Sequence, residues 1–248
     1  AELQPASQKT FSASFPGDVL DERRYAEMVV AGKNIEAIYT VPDSKSLERD
    51  FSDLIFHQDG AFFSTSMYAQ WEVYRAAAKN DIRVMLDGQG ADEVFGGYEG
   101  FLRSHVKSVK KNTGIFSAVI EGAHFIANHR SYFISRIRAR KKNLQTSAAS
   151  SDRKLWFGPE KPKYADPLKE NLYRAVTCTS LPALLMFADR SSMAFSIESR
   201  TPYLDYRIVE FAFRCPSSFH MRNGQRKVLL REAFKGLIPE AIRTRNDK

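Results

Sequence analysis

Along the first third of the chain, apolar residues recur at two different spacings. Lys9 to Phe15 (KTFSASF) alternates, with Phe11, Ala13 and Phe15 on one face, and Pro16-Gly17-Asp18 closes the run as a turn. A helix is expected from about Asp21. Ile35 to Val41 (IEAIYTV) is a second, β-branched strand pattern, and Arg83 to Asp87 (RVMLD) a third. Between them, Ser44 to Phe56 and Ser66 to Lys79 carry apolar residues at helical spacing. Strands separated by helices predict an α/β fold, a parallel sheet with flanking helices and right-handed crossovers. Past Gly97 the alternating pattern stops, so the remainder is expected to be mainly helical, with a Ser- and Ala-containing break near Gln145 to Asp152. A single domain in three parts follows: an α/β part over 1–103, a basic helical insertion over 104–165 and a helical part over 166–248.

Composition agrees with a globular chain. Of 248 residues, 43% are apolar and 27% charged, far from the low-hydrophobicity, high-charge signature of disorder. No apolar run reaches the roughly 18–20 residues that cross a bilayer. The first residues, Ala1 to Thr10, lack a basic-then-apolar leader, so a cytoplasmic protein without a membrane partner is expected. The formal charge of +8 raises the question of nucleic acid. Much of the excess lies between Arg103 and Lys163, as Lys107, Lys110, Lys111, Arg136, Arg138, Arg140, Lys141 and Lys142, with few glycines or aromatics interleaved. That argues for a solvated basic face and against a nucleic-acid platform. Cys178 and Cys215 form no CxxC spacing and are expected as buried thiols without chemistry.

The chemistry concentrates in two segments. In Val84 to Tyr98 (VMLDGQGADEVFGGY) an apolar strand runs into a glycine-rich turn, and the turn into a helix opening with Asp92 and Glu93. Ligands bind at the carboxyl ends of parallel strands, where glycine lets a nucleotide approach the backbone. Acids in a first helical turn either complement the dipole or hold Mg²⁺ on phosphates, and by pattern alone both readings stand. In Ser180 to Asp205 (SLPALL…DRSSMAFSIESRTPYLD) several ionisable residues lie in otherwise apolar sequence. Buried charges must be paired, so Asp189 with Arg190, and Glu198 with Arg200, read as structural ion pairs or site residues.

These two segments, in this order, resemble the signatures of the synthetase domain of the glutamine-hydrolysing asparagine synthetase family. Further similarity lies in Ser64 to Tyr68, in Asn223 to Phe234 (NGQRKVLLREAF) with Leu237-Ile238-Pro239, and in Arg245 to Lys248. The resemblance implies an ATP pyrophosphatase fold and an amide-forming, AMP-producing ligase. Such an enzyme activates a carboxylate, usually aspartate's, as an acyl-adenylate that ammonia from a glutaminase domain then attacks. Carried over, Asp87, Gly88 and Gly90 would line ATP, Asp92 would reach pyrophosphate through Mg²⁺, and Lys227 and Lys248 would be the phosphate cations. Glu93, Asp189 and Arg190 would face the substrate. A homodimer is compatible with the resemblance. The family's S-G-G-x-D-S phosphate loop would stand before Thr10, and neither it nor the glutaminase cysteine is in this sequence. Gln89 stands where many members carry Glu, and a neutral amide orients substrate but is no general base. A related amidotransferase acting on another carboxylate and a non-catalytic remnant of the fold are the alternatives.

Overall fold

The computed structural model describes residues 8–18, 21–60, 64–130 and 164–245. Lys248, the break near residue 145 and the second half of the basic segment lie outside the described residues. Two strands, β1 (Gln8–Ala13) and β2 (Ile35–Thr40), pair in parallel around helix α1 (Arg23–Val30), as the alternating runs predict. Helix α2 (Ser44–Gln58) opens with a capping box: Asp43 accepts from Ser46 N while the Ser46 hydroxyl accepts from Asp43 N. Helix α3 (Ser66–Lys79) has the bounds read from its periodicity. It turns Tyr68, Trp71, Tyr74 and Ala77 inward.

After β3 (Val84–Leu86) and the glycine turn comes the short helix α4 (Ala91–Phe95), and then α5 (Leu102–Thr113) and α6 (Ile115–Asn128). Helices α7 (Pro167–Arg174) and α8 (Leu181–Met193) follow, the latter running towards β4 (Glu198–Arg200). Helix α9 (Tyr206–Arg214) leads to the hairpin β5 (Met221–Arg222) and β6 (Gln225–Arg226), then α10 (Val228–Ala233) and α11 (Glu240–Arg243).

Two expectations are corrected here. In place of one parallel sheet with flanking helices, the described residues form three two-stranded sheets, two parallel and one antiparallel. Strands also persist beyond Gly97. The charged triplet Glu198–Arg200 pairs in parallel with Val84–Leu86, and Asn223-Gly224 closes the β5–β6 hairpin. Both turn residues have positive φ, 52° and 72°, the geometry of a type I′ turn.

The core has several centres. Leu54, Tyr68 and Trp71 join α2 to α3, and Tyr74, Ala77 and Ile197 back the strands. Val94 and Phe95 of α4 pack on Ala212 of α9. The described part of the basic segment is not a detached appendage. Leu102 of α5 and Phe125 of α6 share a core with Leu168, Leu172 and Met221, while Arg103, Lys107 and Lys110 are exposed and Lys111 Nζ donates to Ala165 O at 2.7 Å. Asp166 knots this region together. It caps α7 through Leu168 N at 2.8 Å and Lys169 N at 3.2 Å, and it accepts from the Ser108 and Ser217 hydroxyls. Cys178 and Cys215 are half-buried rather than fully buried, Cys178 beside the Thr177 hydroxyl and Cys215 just past the end of α9.

Candidate active site

The turn after β3 is built so that its first acid organises the loop and its second faces a cavity. Asp87 N donates to Arg200 O at 2.7 Å, which locks the turn to β4. The Asp87 carboxylate accepts from Gln89 N (3.2 Å), from Tyr74 Oη (3.1 Å) and from Gln70 Nε2 (3.3 Å). Burial, together with the Asp87 carboxylate, raises the pKa of the Tyr74 phenol, which stays a donor. Gly90 takes φ 89° before α4, and any Cβ there would collide with Leu204, so this glycine is needed both for its backbone and for its missing side chain.

Asp92 leaves the first turn of α4 towards Lys227, with Oδ1 and Nζ 2.8 Å apart. Gly97 lies directly over this pair. A Cβ on it would overlap Asp92 Oδ1 and the Lys227 side chain. Lys227 itself sits at φ 55° between β6 and α10, a left-handed conformation that costs a non-glycine residue of order 1 kcal/mol and concentrates at functional sites. The β5–β6 hairpin that delivers it is moored to α6. Gly224 N donates to Glu121 Oε1 (3.3 Å), Asn128 Nδ2 donates to Asn223 O (3.3 Å), and His129 Nε2 lies 3.0 Å from Gly224 O.

Asp92, Gly97 and Lys227 open onto a cavity of about 210 Å³ whose other walls are Glu22, Arg226, Arg231 and Arg245. Four cations meet two carboxylates there. Arg226 donates to Gly97 O at 2.8 Å. Arg231 donates to the main-chain carbonyls of Arg226 (2.6 Å), Arg243 and Arg245 (2.8 Å). Burial pulls both guanidinium groups below their ordinary range, and the neighbouring arginines push Arg231 further down. Glu99 lies 3.9 Å from Arg226, and the gathering of four cations at one cavity is an electrostatic arrangement that attracts anions.

Gln89 and Asp87 open elsewhere. Gln89 lines a cavity of about 300 Å³ with Ala13, Ser66, Gln70, Val73 and Phe187. Asp87 and Gly88 line one of about 230 Å³ with Phe11, Gln70, Tyr74 and Met85. Gln70 and Val73 border both, so these two volumes adjoin at the carboxyl ends of β1 and β3.

The residues expected at the substrate are placed differently. Glu93 is 1% exposed and accepts from Tyr98 Oη and Ser180 Oγ, each at 2.8 Å, so it ties α4 to the start of α8 and borders none of the three cavities. Asp189 is exposed and is not the partner of Arg190. Arg190 reaches across to the end of α2, donating to Gln58 O and pairing with Asp59 at 3.2 Å. Glu198 and Arg200 do pair, at 2.7 Å, but on the exposed side of β4. Missed from the sequence were Arg226, Arg231, Arg245 and Glu22. The first two stand in the NGQRKVLLREAF segment, where the resemblance drew attention to Lys227 alone.

Among the described residues no cluster of three or more His, Cys, Asp or Glu is arranged to hold a metal. Asp92 offers one carboxylate beside a cation-lined cavity, which suits Mg²⁺ that arrives on phosphates and keeps most of its ligands from them and from water. No helix among the described residues is long and apolar enough to cross a membrane.

The chain belongs to the asparagine synthase family, whose model covers residues 1–248. It is 25% identical to asparagine synthetase (glutamine-hydrolyzing) 1 of Bacillus subtilis (strain 168), over 98% of this chain and 42% of that protein. It is 29% identical to asparagine synthetase (glutamine-hydrolyzing) 3 of the same organism, over 66% and 25%. Amidase chry2 of Gibberella zeae is 21% identical over 97% of this chain and 42% of its own length. The chain therefore spans about two fifths of the length of such relatives.

Proposed function

We propose that this chain is the synthetase portion of an ATP-dependent, amide-forming ligase of the cytoplasm, which activates a carboxylate, in the first instance that of aspartate, as an acyl-adenylate for attack by ammonia. The observation that carries the reading is the Asp92–Lys227 pair inside a cavity walled by three further cations. The β- and γ-phosphates would sit there, Asp92 holding Mg²⁺ that supplies charge neutralisation, and Lys227 offering a point charge to the departing pyrophosphate. The nucleoside end would lie along the adjoining cavities by Asp87, Gly88 and Gly90. Gln89 would orient the acceptor through an amide that both donates and accepts. Lys248 enters this proposal from the resemblance alone, and ammonia would come from a glutaminase domain outside this chain.

Two relatives named amidases, chry2 and chyE, match 97% and 96% of the chain, and this favours as a second reading an acceptor carboxylate other than aspartate. The deciding experiment is pyrophosphate release by the full-length protein with ATP, Mg²⁺, ammonia and a panel of carboxylic acids. Release that depends on one acid identifies the acceptor, and Gln89→Glu should lower it by setting a carboxylate beside an acidic substrate. A silent wild type would leave the fold as a non-catalytic remnant, and rescue by Glu would mark Gln89 as the cause.

A further inference from the structure

Two acids stand side by side after β1, and their surroundings assign them different work. Asp21 is engaged locally: Oδ1 accepts from Phe15 N, Arg23 N and the Ser14 hydroxyl, each at 3.2 Å, and these bonds hold the turn into α1. Glu22 stands at the cap of α1 yet makes no capping bond with its side chain. Its carboxylate instead reaches a residue 223 positions later, Oε1 lying 3.0 Å from Arg245 Nη2. Arg245 is also stacked on the Tyr25 ring, with its guanidinium carbon 3.7 Å from the centroid. An arginine so held by an aromatic plane keeps its position when its anion changes.

Glu22 and Arg245 are two walls of the cation-rich cavity, and their exposures differ. The Glu22 side chain is 55% exposed and that of Arg245 19%. The anion can swing into water at little cost, whereas the cation is held by Tyr25 among the arginines that line the cavity. A fixed cation paired with a free-swinging anion is the arrangement expected where an outside anion competes for the cation.

We propose that Glu22 is a displaceable internal counter-ion of this cavity: it neutralises Arg245 when the cavity holds no anion, and an incoming phosphate or pyrophosphate takes Arg245 from it. The step is an exchange of ionic partners, with no covalent bond made or broken and the Glu22 carboxylate released, still ionised, to solvent. Displacement removes the Glu22 tie between the β1–α1 connection and the segment after α11, while the Tyr25–Arg245 stack keeps α1 and Arg245 in place. The proposal rests on the reading of this cavity as the phosphate seat.

The test is calorimetric titration of magnesium pyrophosphate into the full-length wild-type protein and its Glu22→Gln and Lys227→Gln variants. Lys227→Gln checks the seat itself and should weaken binding at least tenfold; unchanged binding would overturn the seat and the counter-ion together. With the seat upheld, Glu22→Gln should bind pyrophosphate about two- to fivefold more tightly, the worth of a solvent-exposed ion pair, and the gain should shrink as salt is raised from 0.05 to about 0.5 M. Equal or weaker binding by Glu22→Gln would overturn the counter-ion alone, and would make Glu22 a residue that positions Arg245 for the ligand. The Glu22 side chain is more than half solvated, so the variant should melt with the wild type.

Discussion

Asp50 and Asp92 are both aspartates on helices clasped by cations, and they stand for opposite uses of the same chemistry. Asp50 of α2 is saturated. Arg49 lies at 2.8 Å, Arg75 Nη1 at 2.6 Å and Tyr68 Oη at 2.7 Å, and the Arg49 guanidinium leads in holding its carboxyl well below the usual range. The charge around it is closed: Arg75 is shared with Glu72, and no cavity opens beside the group among those described. Asp92 meets Lys227 with similar geometry, but three arginines surround the pair and a cavity opens over it. What separates a structural ion cluster from a site is therefore a surplus of one charge beside an opening. Burial of charge alone does not distinguish them, as Glu93 shows by being more buried than Asp92 while bonded to Tyr98 and Ser180 and bordering none of the three cavities.

The largest effect should come from breaking the open cluster. In the full-length protein, Lys227→Gln and Asp92→Asn should each lower turnover about a hundredfold or more, roughly 3 kcal/mol of transition-state stabilisation, with the melting temperature almost unchanged. Pyrophosphate-release kinetics beside a thermal melt check this, and a variant that melts early but turns over normally would reverse the assignment. The closed cluster should respond in the opposite sense. Asp50→Asn removes the carboxylate charge shared by Arg49, Arg75 and the Tyr68 hydroxyl and leaves Arg75 to Glu72, so it should cost about 1–2 kcal/mol of stability in urea titration while the folded fraction keeps its turnover.

Acid should separate the two regions by pH. His220, fully buried just before β5, has its pKa pulled down to about 4, chiefly by burial and also by nearby Lys169 and His105, with the Pro216 backbone and Asp166 opposing. The unfolded chain takes up this proton near pH 6.5 and the folded one does not, so stability falls as pH drops from about 6.5 towards 4, by about 2 kcal/mol at pH 5. The Asp50 carboxyl is depressed instead, so its contribution is intact above roughly pH 4 and is lost only below that. His220→Leu should flatten the loss between pH 7 and 5 in urea titrations and leave the low-pH loss in place. A slope unchanged by the substitution would mean that another group carries it.

The sequence was most legible where a local rule decides the structure. Ser66–Lys79 has one apolar stripe and forms the helix with the bounds its spacing predicts. The run VMLDGQG turns at its glycines because Gly90 must take a positive φ against Leu204. The failures fall where partners are remote or the element is short. Glu198–Arg200 is a three-residue strand with two charged members, which no alternation rule selects, and it exists because β3 pairs with it. Asn223-Gly224 was a readable hairpin signal between strands too short to announce themselves. At the site, the resemblance drew attention to Asp92 and Lys227 separately, and nothing local put them together or added Arg226, Arg231 and Arg245. Asp189 and Arg190 are adjacent in sequence, yet Arg190 finds its partner on α2, because neighbouring residues on a helix point about a third of a turn apart.

The mooring of the β5–β6 hairpin also sets a timetable. The contact between Arg226 and Gly97 joins residues 129 positions apart, and those from the hairpin to Glu121 and Asn128 span 103 and 95. On a ribosome, the turn at Asp87 to Gly97 and helices α5 and α6 emerge well before the lysine that completes them, and wait as an unoccupied dock. Closing so long a loop costs entropy that grows only slowly with its length, so the delay lies in synthesis more than in search. At roughly 5–20 residues per second the nascent chain passes many seconds before Lys227 can reach Asp92, and the cavity is complete only when Arg231 and Arg245 follow the hairpin.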